Sequence, residues 1–438
     1  MTPRGRTTNS AAGFKALAFS ASGQIVVAAT ALASVRIYTE LLDRAEFGLA
    51  MVAMGVVALL DGLVVMALNQ TLLSLCAPLS DCAQQREIAT RLGWLLFRPI
   101  AAALVLLALA LAALDLFHPV QTLILAASWL ALAYLAEEIA KTTMLSPMMA
   151  RREFSRFSFW TGAEAMITLA FTAATLTFLR ADALGFLTGL VAGRLTTTLA
   201  FTALMCGFGY FDGATAKPAP REVAQALEYG LAVSAMAPLG WIGAYLDRYA
   251  VSLFAGLAGS GAYSAAGGLL SRPYSITTAI LTNYFRPLLF HRRDAEDFLT
   301  HARRRLAQWL ATAAAIGTAG AVAIALLAKT IALVALAPAF RDGAAPIMTI
   351  LALAQTFAIM THAVDNAILA TGASASLLKT QAGIGAVALA LVPAGAFWGG
   401  GFGAALGRAA VEAVKFAAAF ALSRRALAPA AAVLAPAQ

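Results

Sequence analysis

The 438-residue chain is 61% hydrophobic, carries 12% charged residues, and has a formal net charge of +9 at pH 7. A soluble domain carries roughly 25% charged residues, so this composition excludes a water-soluble globule and indicates a bilayer as the solvent. Its basic residues are spread over many short segments and form no single basic face, which argues against nucleic acid as a partner.

The apolar stretches predict an all-α integral membrane protein. A spanning helix needs about 20 mostly apolar residues, and the sequence predicts twelve of them, joined by short connections. They lie near residues 14–35, 47–68, 92–114, 119–140, 159–179, 183–209, 228–252, 262–285, 306–328, 344–370, 375–396 and 400–422.

The basic residues between these stretches predict the orientation of the chain. Every second connection is rich in Lys and Arg, as in 151–156 and 292–305, while the connections between them are nearly bare of both. Cytoplasmic loops retain Lys and Arg. We therefore expect both termini in the cytoplasm, in the inner membrane of a bacterium.

The two halves of the chain resemble each other, which predicts lobes at residues 1–212 and 213–438. Three pairs recur at an offset of 212 to 214 residues: Arg36 with Arg248, Gly48 with Gly261, and the Gly-x-x-x-Gly-Arg segments 189–194 and 403–408. Six helices per half give both halves the same orientation, so a pseudo-two-fold along the membrane normal is expected to relate them around a central cavity. Packing alone would explain the glycines, because small residues let helix backbones approach closely.

Arginines inside the predicted helices are the candidate substrate-binding residues. A central arginine that faced lipid would cost roughly 2.5–3.5 kcal/mol, so these side chains must face a hydrated cavity or a partner. The candidates are Arg36, Arg98, Arg194, Arg248, Arg272 and Arg408. For Arg408 an ion pair with Glu412, four residues on, is the structural alternative. Pro273 is expected to disturb the helix beside Arg272.

Three carboxylates inside the predicted helices are candidates for ion coupling or for ion pairs: Asp61, Asp247 and Asp365. Asp247 could pair with Arg248 or with a neighbouring helix. The sequence contains no nucleotide-binding loop, no metal-ligand spacing and no nucleophile beside a base. We therefore expect no cofactor, no metal, no catalytic residue and no enzyme activity.

Together these residues resemble the Wzx-type polysaccharide transporters of the multidrug/oligosaccharidyl-lipid/polysaccharide (MOP) exporter superfamily. The resemblance rests on Leu246-Asp247-Arg248-Tyr249 leading to Gly261-Ala262-Tyr263-Ser264-Ala265-Ala266, on the loop at residues 42–49, and on residues 337–351. It implies a flippase that moves an undecaprenyl-pyrophosphate-linked oligosaccharide to the outer leaflet for exopolysaccharide, capsule or O-antigen synthesis. It also implies a monomer, with a polysaccharide polymerase and a chain-length regulator as candidate partners.

Two other functions remain open from the sequence. An ion-coupled multidrug or organic-cation antiporter of the same fold would favour an acidic, aromatic cavity, and the excess of arginine counts against it. A membrane enzyme such as a sugar polymerase would display a large extracytoplasmic loop, whereas the predicted outer loops here are short.

Overall fold

The computed structural model describes residues 10–76, 122–150, 153–207, 220–290 and 297–428, with isolated positions between 87 and 113. Within those ranges all regular structure is helical. The helices are α1 (Ser10–Leu41), α2 (Arg44–Asp61), α3 (Ala67–Cys76), α4 (Thr122–Ala150), α5 (Phe154–Phe178), α6 (Ala183–Gly207), α7 (Pro220–Phe290), α8 (Phe298–Ala335), α9 (Ala344–Ala370) and α10 (Ser374–Ala426). A π-helical segment, Gly62–Met66, joins α2 to α3, and a 3₁₀ turn, Pro338–Phe340, precedes α9.

The helices agree with the predicted spans wherever the two can be compared. Described helices overlap every predicted span except 92–114, which lies largely outside the described residues. By length and composition, six continuous helical stretches in the described part of the chain could cross a membrane, and two of them exceed 50 residues. The prediction of a helical protein is confirmed, whereas the twelve-helix arrangement and the central cavity stay predictions.

The two longest helices each contain a sharp break at glycine. In α7 the backbone of Gly256 has φ 73° and ψ 174°, and in α10 Gly400 has φ 53° beside the non-helical Gly399. Positive φ is accessible to glycine at no steric cost, so glycine commonly ends a helix. Gly256 lies between the predicted spans 228–252 and 262–285, and Gly400 is the first residue of the predicted span 400–422.

Pro273 does not break α7, contrary to our expectation. Helical structure continues through Arg272 and Pro273, and Gly256 is the non-helical position within the helix. A proline removes one backbone hydrogen bond, here the bond to the Leu269 carbonyl, and membrane helices tolerate this loss. Hydroxyl groups add bonds in the following turn, since Ser275 donates to the Arg272 carbonyl at 2.9 Å and Thr277 donates to the Pro273 carbonyl at 3.0 Å.

The chain forms two compact units. The first contains residues 1–34 and 53–238, and the second contains residues 35–52 and 239–438. In the first unit α6 packs closely on α5; in the second unit α9 packs on both α8 and α10. The predicted lobe boundary at 212/213 stays a prediction, because residues 208–219 lie outside the described part of the chain.

The glycines of the repeat serve close helix packing. In α6, Cβ atoms added to Gly189 and Gly193 would lie 2.5 and 2.6 Å from the Cα atoms of Thr172 and Thr168 in α5. In α10, a Cβ on Gly407 would lie 2.6 Å from the Leu391 carbonyl oxygen. Both Gly-x-x-x-Gly segments therefore pack against the helical segment that precedes them in sequence, as small residues allow.

Gly48 and Gly261, the second pair of the repeat, pack against each other within the second unit. A Cβ on Gly261 would overlap the Arg44 carbonyl oxygen and lie 3.1 Å from the Gly48 amide nitrogen. A Cβ on Gly48 would overlap the Leu257 carbonyl oxygen. Backbone atoms cannot move aside cheaply, so this contact needs glycine at both positions.

We expect Gly261→Ala to destabilise the protein by about 1–3 kcal/mol, the usual cost of overpacking. The melting temperature in detergent measures this effect. Gly243→Ala is the matched control, because Gly243 lies in the same helix and an added Cβ there would meet no atom within 4 Å. Equal melting temperatures for the two variants would contradict the packing role of Gly261.

The turn between α5 and α6 is held by one carboxylate. Asp182 accepts hydrogen bonds from Arg180 Nε at 2.8 Å and from the Gly185 amide at 2.8 Å. Partial burial raises the pKa of the Asp182 carboxyl, but the hydrogen bonds from Arg180 and Gly185 outweigh burial and hold the pKa below its usual value. An ionised Asp182 therefore stabilises the start of α6, where negative charge also favours the helix dipole.

The turn should lose this stabilisation in acid. Because the folded pKa is depressed, the contribution of Asp182 is fully present above the unfolded pKa of about 3.9 and is lost as the pH falls through the folded value. The melting temperatures of the wild type and Asp182→Asn should differ only slightly at pH 6, because an exposed pair contributes little, and should converge as the pH falls through the folded pKa. A difference that is constant with pH would contradict this assignment.

Candidate functional site

The second unit encloses a cavity of about 320 Å³ that contains three of the predicted arginines. Arg248 and Arg272 come from the two parts of α7 on either side of Gly256, and Arg408 comes from α10. The complete lining is Ala244, Tyr245, Asp247, Arg248, Tyr263, Gly267, Leu270, Ser271, Arg272, Ser275, Leu351, Gln355 and Arg408. The break at Gly256 allows one continuous helix to contribute two arginines to the same cavity.

Arg248 and Arg272 keep their guanidinium groups available. Among the described residues, neither forms an ion pair with a carboxylate. The Arg248 guanidinium lies 4.9 Å from the ring centroid of Tyr245, a cation–π contact that orients it without neutralising it. Arg272 is exposed and lines the cavity, and within the described ranges no residue engages its five N–H donors.

Asp247 is the acidic residue of the cavity lining, and its carboxylate oxygens already accept hydrogen bonds. Its side chain is 3% exposed and forms an ion pair with Arg408. The Tyr263 hydroxyl donates to Asp247 Oδ2 at 2.7 Å, and the Arg248 amide donates to Oδ1 at 2.8 Å. The Asp and Tyr of the resemblance motif are thus hydrogen-bonded partners that fix Arg408 beside the cavity.

The structure decides between the partners left open for Arg408 and Asp247. Arg408 pairs with Asp247 on a facing helix rather than with Glu412 on its own, so the predicted pairing with Glu412 is wrong. The i, i+4 spacing permits that pair, but the buried Asp247 offers a closer carboxylate. Glu412 is also buried, and its Oε2 atom has no hydrogen-bond partner among the described residues.

Arg194 belongs to a separate charged network in the first unit. Its guanidinium contacts Glu137 at 2.9 Å, Glu164 at 3.1 Å, and also Glu138. Lys141 completes the network, at 2.8 Å from Glu138 and 2.9 Å from Glu164. Arg194 therefore neutralises carboxylates of α4 and α5, and is not available to an anion in this arrangement.

Three carboxylates of this network could hold a metal ion by distance alone. One oxygen each from Glu137, Glu138 and Glu164 lie within 4.8 Å of one another. The same groups are engaged by Arg194 and Lys141, and the Thr198 hydroxyl donates to Glu137 at 2.7 Å. The two cationic side chains supply positive charge that a metal would otherwise supply, so the donor set does not fit a resident metal.

Of the other predicted residues that the structure describes, none is in the lining of this cavity. Arg36 pairs with Glu40 and donates to the Leu336 carbonyl. Asp61 ends α2 at the π-helical segment, where Arg194 and Lys141 act on it electrostatically. Arg98 lies outside the described residues.

Asp365 lies in α9 of the second unit. Its Oδ2 atom accepts a hydrogen bond from Gln381 Nε2 at 3.1 Å. Its Oδ1 atom is buried and has no partner among the described residues.

Sequence reasoning missed several polar residues of the cavity and of the charged network around Arg194. Tyr245, Ser271 and Gln355 line the cavity, but isolated polar residues in apolar helices gave no pattern that marked them. Lys141 directly follows the predicted span 119–140 and was not singled out, whereas its side chain is 13% exposed inside the network. The signal in the sequence was that Lys141 follows Glu138 by three residues, a spacing at which two side chains of one helix can pair.

No protein-family model and no curated protein sequence matches the chain. Solved structures do match. One match is the inward-facing conformation of a multidrug resistance MATE family transporter of the MOP superfamily. Its TM-score is 0.67 at 14% sequence identity, and the alignment covers 93% of this chain and 94% of the transporter chain. The lipid II flippase MurJ, in an inward closed conformation, also has a TM-score of 0.67, with 12% identity and coverage of 94% and 89%.

A third match is a MOP superfamily transporter from Pyrococcus furiosus whose binding pocket is described as having reverse polarity. Its TM-score is 0.64 at 13% identity, with coverage of 94% of this chain and 95% of its own. At such identities the likeness establishes the fold and leaves the substrate open. The chain therefore has the fold of these multi-pass membrane transporters, whereas membership of the MOP superfamily and of its Wzx-type family stays a prediction.

Proposed function

We propose that this protein is a flippase that translocates an undecaprenyl-pyrophosphate-linked oligosaccharide across the bacterial inner membrane. It would serve exopolysaccharide, capsule or O-antigen synthesis and act as a monomer by alternating access, with both termini in the cytoplasm. A polysaccharide polymerase and a chain-length regulator would act beside it.

The observation that carries the proposal is the charge of the cavity in the second unit. Three guanidinium groups line it against one carboxylate, and that carboxylate is paired with Arg408. Arg248 and Arg272 therefore present uncompensated positive charge. A pyrophosphate is the matching ligand, because the planar guanidinium binds phosphate oxygens through two parallel hydrogen bonds.

The neutral residues of the cavity suit a glycan beside the pyrophosphate. Hydroxyl and amide groups of Tyr245, Ser271, Ser275 and Gln355 line the same space as the arginines. Such groups donate and accept hydrogen bonds, as sugar hydroxyls require. The polyprenyl tail needs no protein pocket, because it can stay in lipid while the head group crosses.

The cation antiporter is less well supported by the charges. An organic cation needs free carboxylates, whereas Asp247 is paired and the carboxylates of α4 and α5 are engaged by Arg194 and Lys141. Asp61 and Asp365 remain as candidate coupling residues for such an antiporter.

A flipping assay in liposomes that hold only this protein tests the proposal. Its substrate is a fluorescent undecaprenyl-pyrophosphoryl oligosaccharide. Membrane-impermeant quenching of the fluorophore reports the lipid that reaches the opposite leaflet. We expect faster flipping than in empty liposomes, and no accumulation of a fluorescent organic cation under a proton or sodium gradient. Gradient-driven cation uptake without flipping would favour the antiporter, and new glycosidic bonds in the recovered lipid would favour a membrane enzyme.

A further inference from the structure

A second concave surface lies in the second unit, where the start of α8 meets the end of α10. This groove has a volume of about 550 Å³, and Leu306, Leu310 and Phe420 line it together with the guanidinium-bearing Arg303 and Arg424. It shares no residue with the arginine cavity of the candidate site. Its shape combines an apolar floor with positive charge at its edge.

The helix that forms one wall of the groove is long and apolar enough to cross a membrane. Its most apolar 18-residue window has a mean hydropathy of 2.0, is only 11% buried, and lies mostly beyond the groove, toward the C-terminal end of α8. In a membrane protein such a surface is covered by acyl chains, because the bilayer is its solvent. The groove lies at the start of the predicted span 306–328 and its floor is formed by Leu306, Leu310 and Phe420, so an acyl chain is the occupant that this floor would take.

The charged edge of the groove retains free hydrogen-bond donors. Arg303 donates to the carbonyl of Leu427, the residue that follows α10, and its guanidinium has five N–H donors in all. Arg424 is exposed, and within the described ranges it forms no ion pair. Arg304, Arg305 and Arg425 lie at the same two helix ends and raise the positive potential there.

We propose that one anionic glycerophospholipid of the surrounding bilayer binds this groove. Its phosphate bonds to Arg424 and Arg303, and one acyl chain lies along Leu306, Leu310 and Phe420. Arginine favours a phosphate because its fork matches two oxygens at once. Basic pockets between membrane helices on the cytoplasmic side are a recurring setting for anionic lipid head groups. The bound lipid would hold the start of α8 against the end of α10.

Native mass spectrometry of the full-length protein in detergent tests this inference, with dioleoyl-phosphatidylglycerol and dioleoyl-phosphatidylcholine as the two probes. We expect one phosphatidylglycerol to bind at low concentration, and phosphatidylcholine to bind at least about tenfold more weakly, because its head group has no net charge. Arg424→Gln should weaken phosphatidylglycerol binding about tenfold or more, since hydrogen bonds to charged groups are strong.

Arg425→Gln is the matched control. Arg425 is an exposed arginine next to Arg424 that does not line the groove, so its loss should change the affinity less than about twofold. Ala307→Trp tests the apolar floor separately, because Ala307 lines the groove and a larger side chain would fill it while both arginines remain. The melting temperature of each variant verifies that it is folded.

Three results would overturn the proposal. Equal affinities for the two lipids would show that head-group charge is not recognised. Equal losses in Arg424→Gln and Arg425→Gln would indicate diffuse attraction rather than a built site. Absence of a phosphatidylglycerol adduct on the full chain would also overturn it, whether the groove stays empty or residues 429–438 fill it.

Discussion

Arg272→Gln is expected to slow flipping of the pyrophosphoryl oligosaccharide about 10- to 100-fold. The variant removes a guanidinium that lines the cavity and has no carboxylate partner among the described residues. Hydrogen bonds to charged groups contribute roughly 1.5–3 kcal/mol each, which corresponds to that range in affinity. The liposome assay measures the rate, and Arg272→Lys should recover only part of it, because lysine keeps the charge and loses the planar fork.

Arg286→Gln is the control for the Arg272 variant. Arg286 is another exposed arginine of α7, but it lies against Phe290 and does not line the cavity. Its loss changes the net charge of the protein as much as Arg272→Gln does. Equal flipping rates for Arg286→Gln and Arg272→Gln would attribute the effect to net charge and would remove the main support for the proposed function.

Asp247→Ala is expected to destabilise the protein by about 3–5 kcal/mol, the cost of breaking a buried ion pair from one side. The carboxylate is 3% exposed and holds Arg408 in an ion pair, so its removal leaves a largely buried guanidinium without its ion-pair partner. The Tyr263 hydroxyl also loses its acceptor. The melting temperature in detergent should fall markedly, and flipping should fall with it, because Arg408 is no longer held beside the cavity.

Two further variants separate the ion pair from the hydrogen bond. Asp247→Asn combined with Arg408→Gln removes both charges and should recover much of the stability lost in Asp247→Ala. Tyr263→Phe removes one donor and should cost less than Asp247→Ala. Asp342→Asn removes an exposed carboxylate of the same unit and should be neutral. A neutral Asp247→Ala variant would show that the ion pair does not support the fold.

Much of the secondary structure was predictable because apolar length and loop charge are local properties. The break at Gly256 falls between two predicted spans, the break at Gly400 falls at the first residue of a predicted span, and the repeat-related Gly48 and Gly261 meet in a close contact. Pro273 was misjudged, because whether a proline ends a membrane helix depends on its helical surroundings, which the sequence pattern does not show.

The pairing of the intramembrane charges was less predictable, because several partners have compatible spacing. Arg194 and Arg408 follow the same glycine motif, yet Arg194 contacts glutamates of α4 and α5 and Arg408 contacts an aspartate of α7. Arg36 pairs with Glu40, one turn further along its own helix. Of the arginines singled out from the sequence, only Arg248 and Arg272 line the described cavity without an ion pair.

By itself, the sequence determined that the chain is helical, suited to a bilayer, internally repeated, and rich in arginine within its helices. These features follow from residue type and spacing along one helix, which the sequence states directly. The tertiary structure alone decided which arginines are neutralised and which remain available to an anion. That outcome depends on distances between atoms of different helices. A buried carboxylate close to a guanidinium neutralises its charge, whereas a guanidinium with no carboxylate nearby keeps its charge for a ligand.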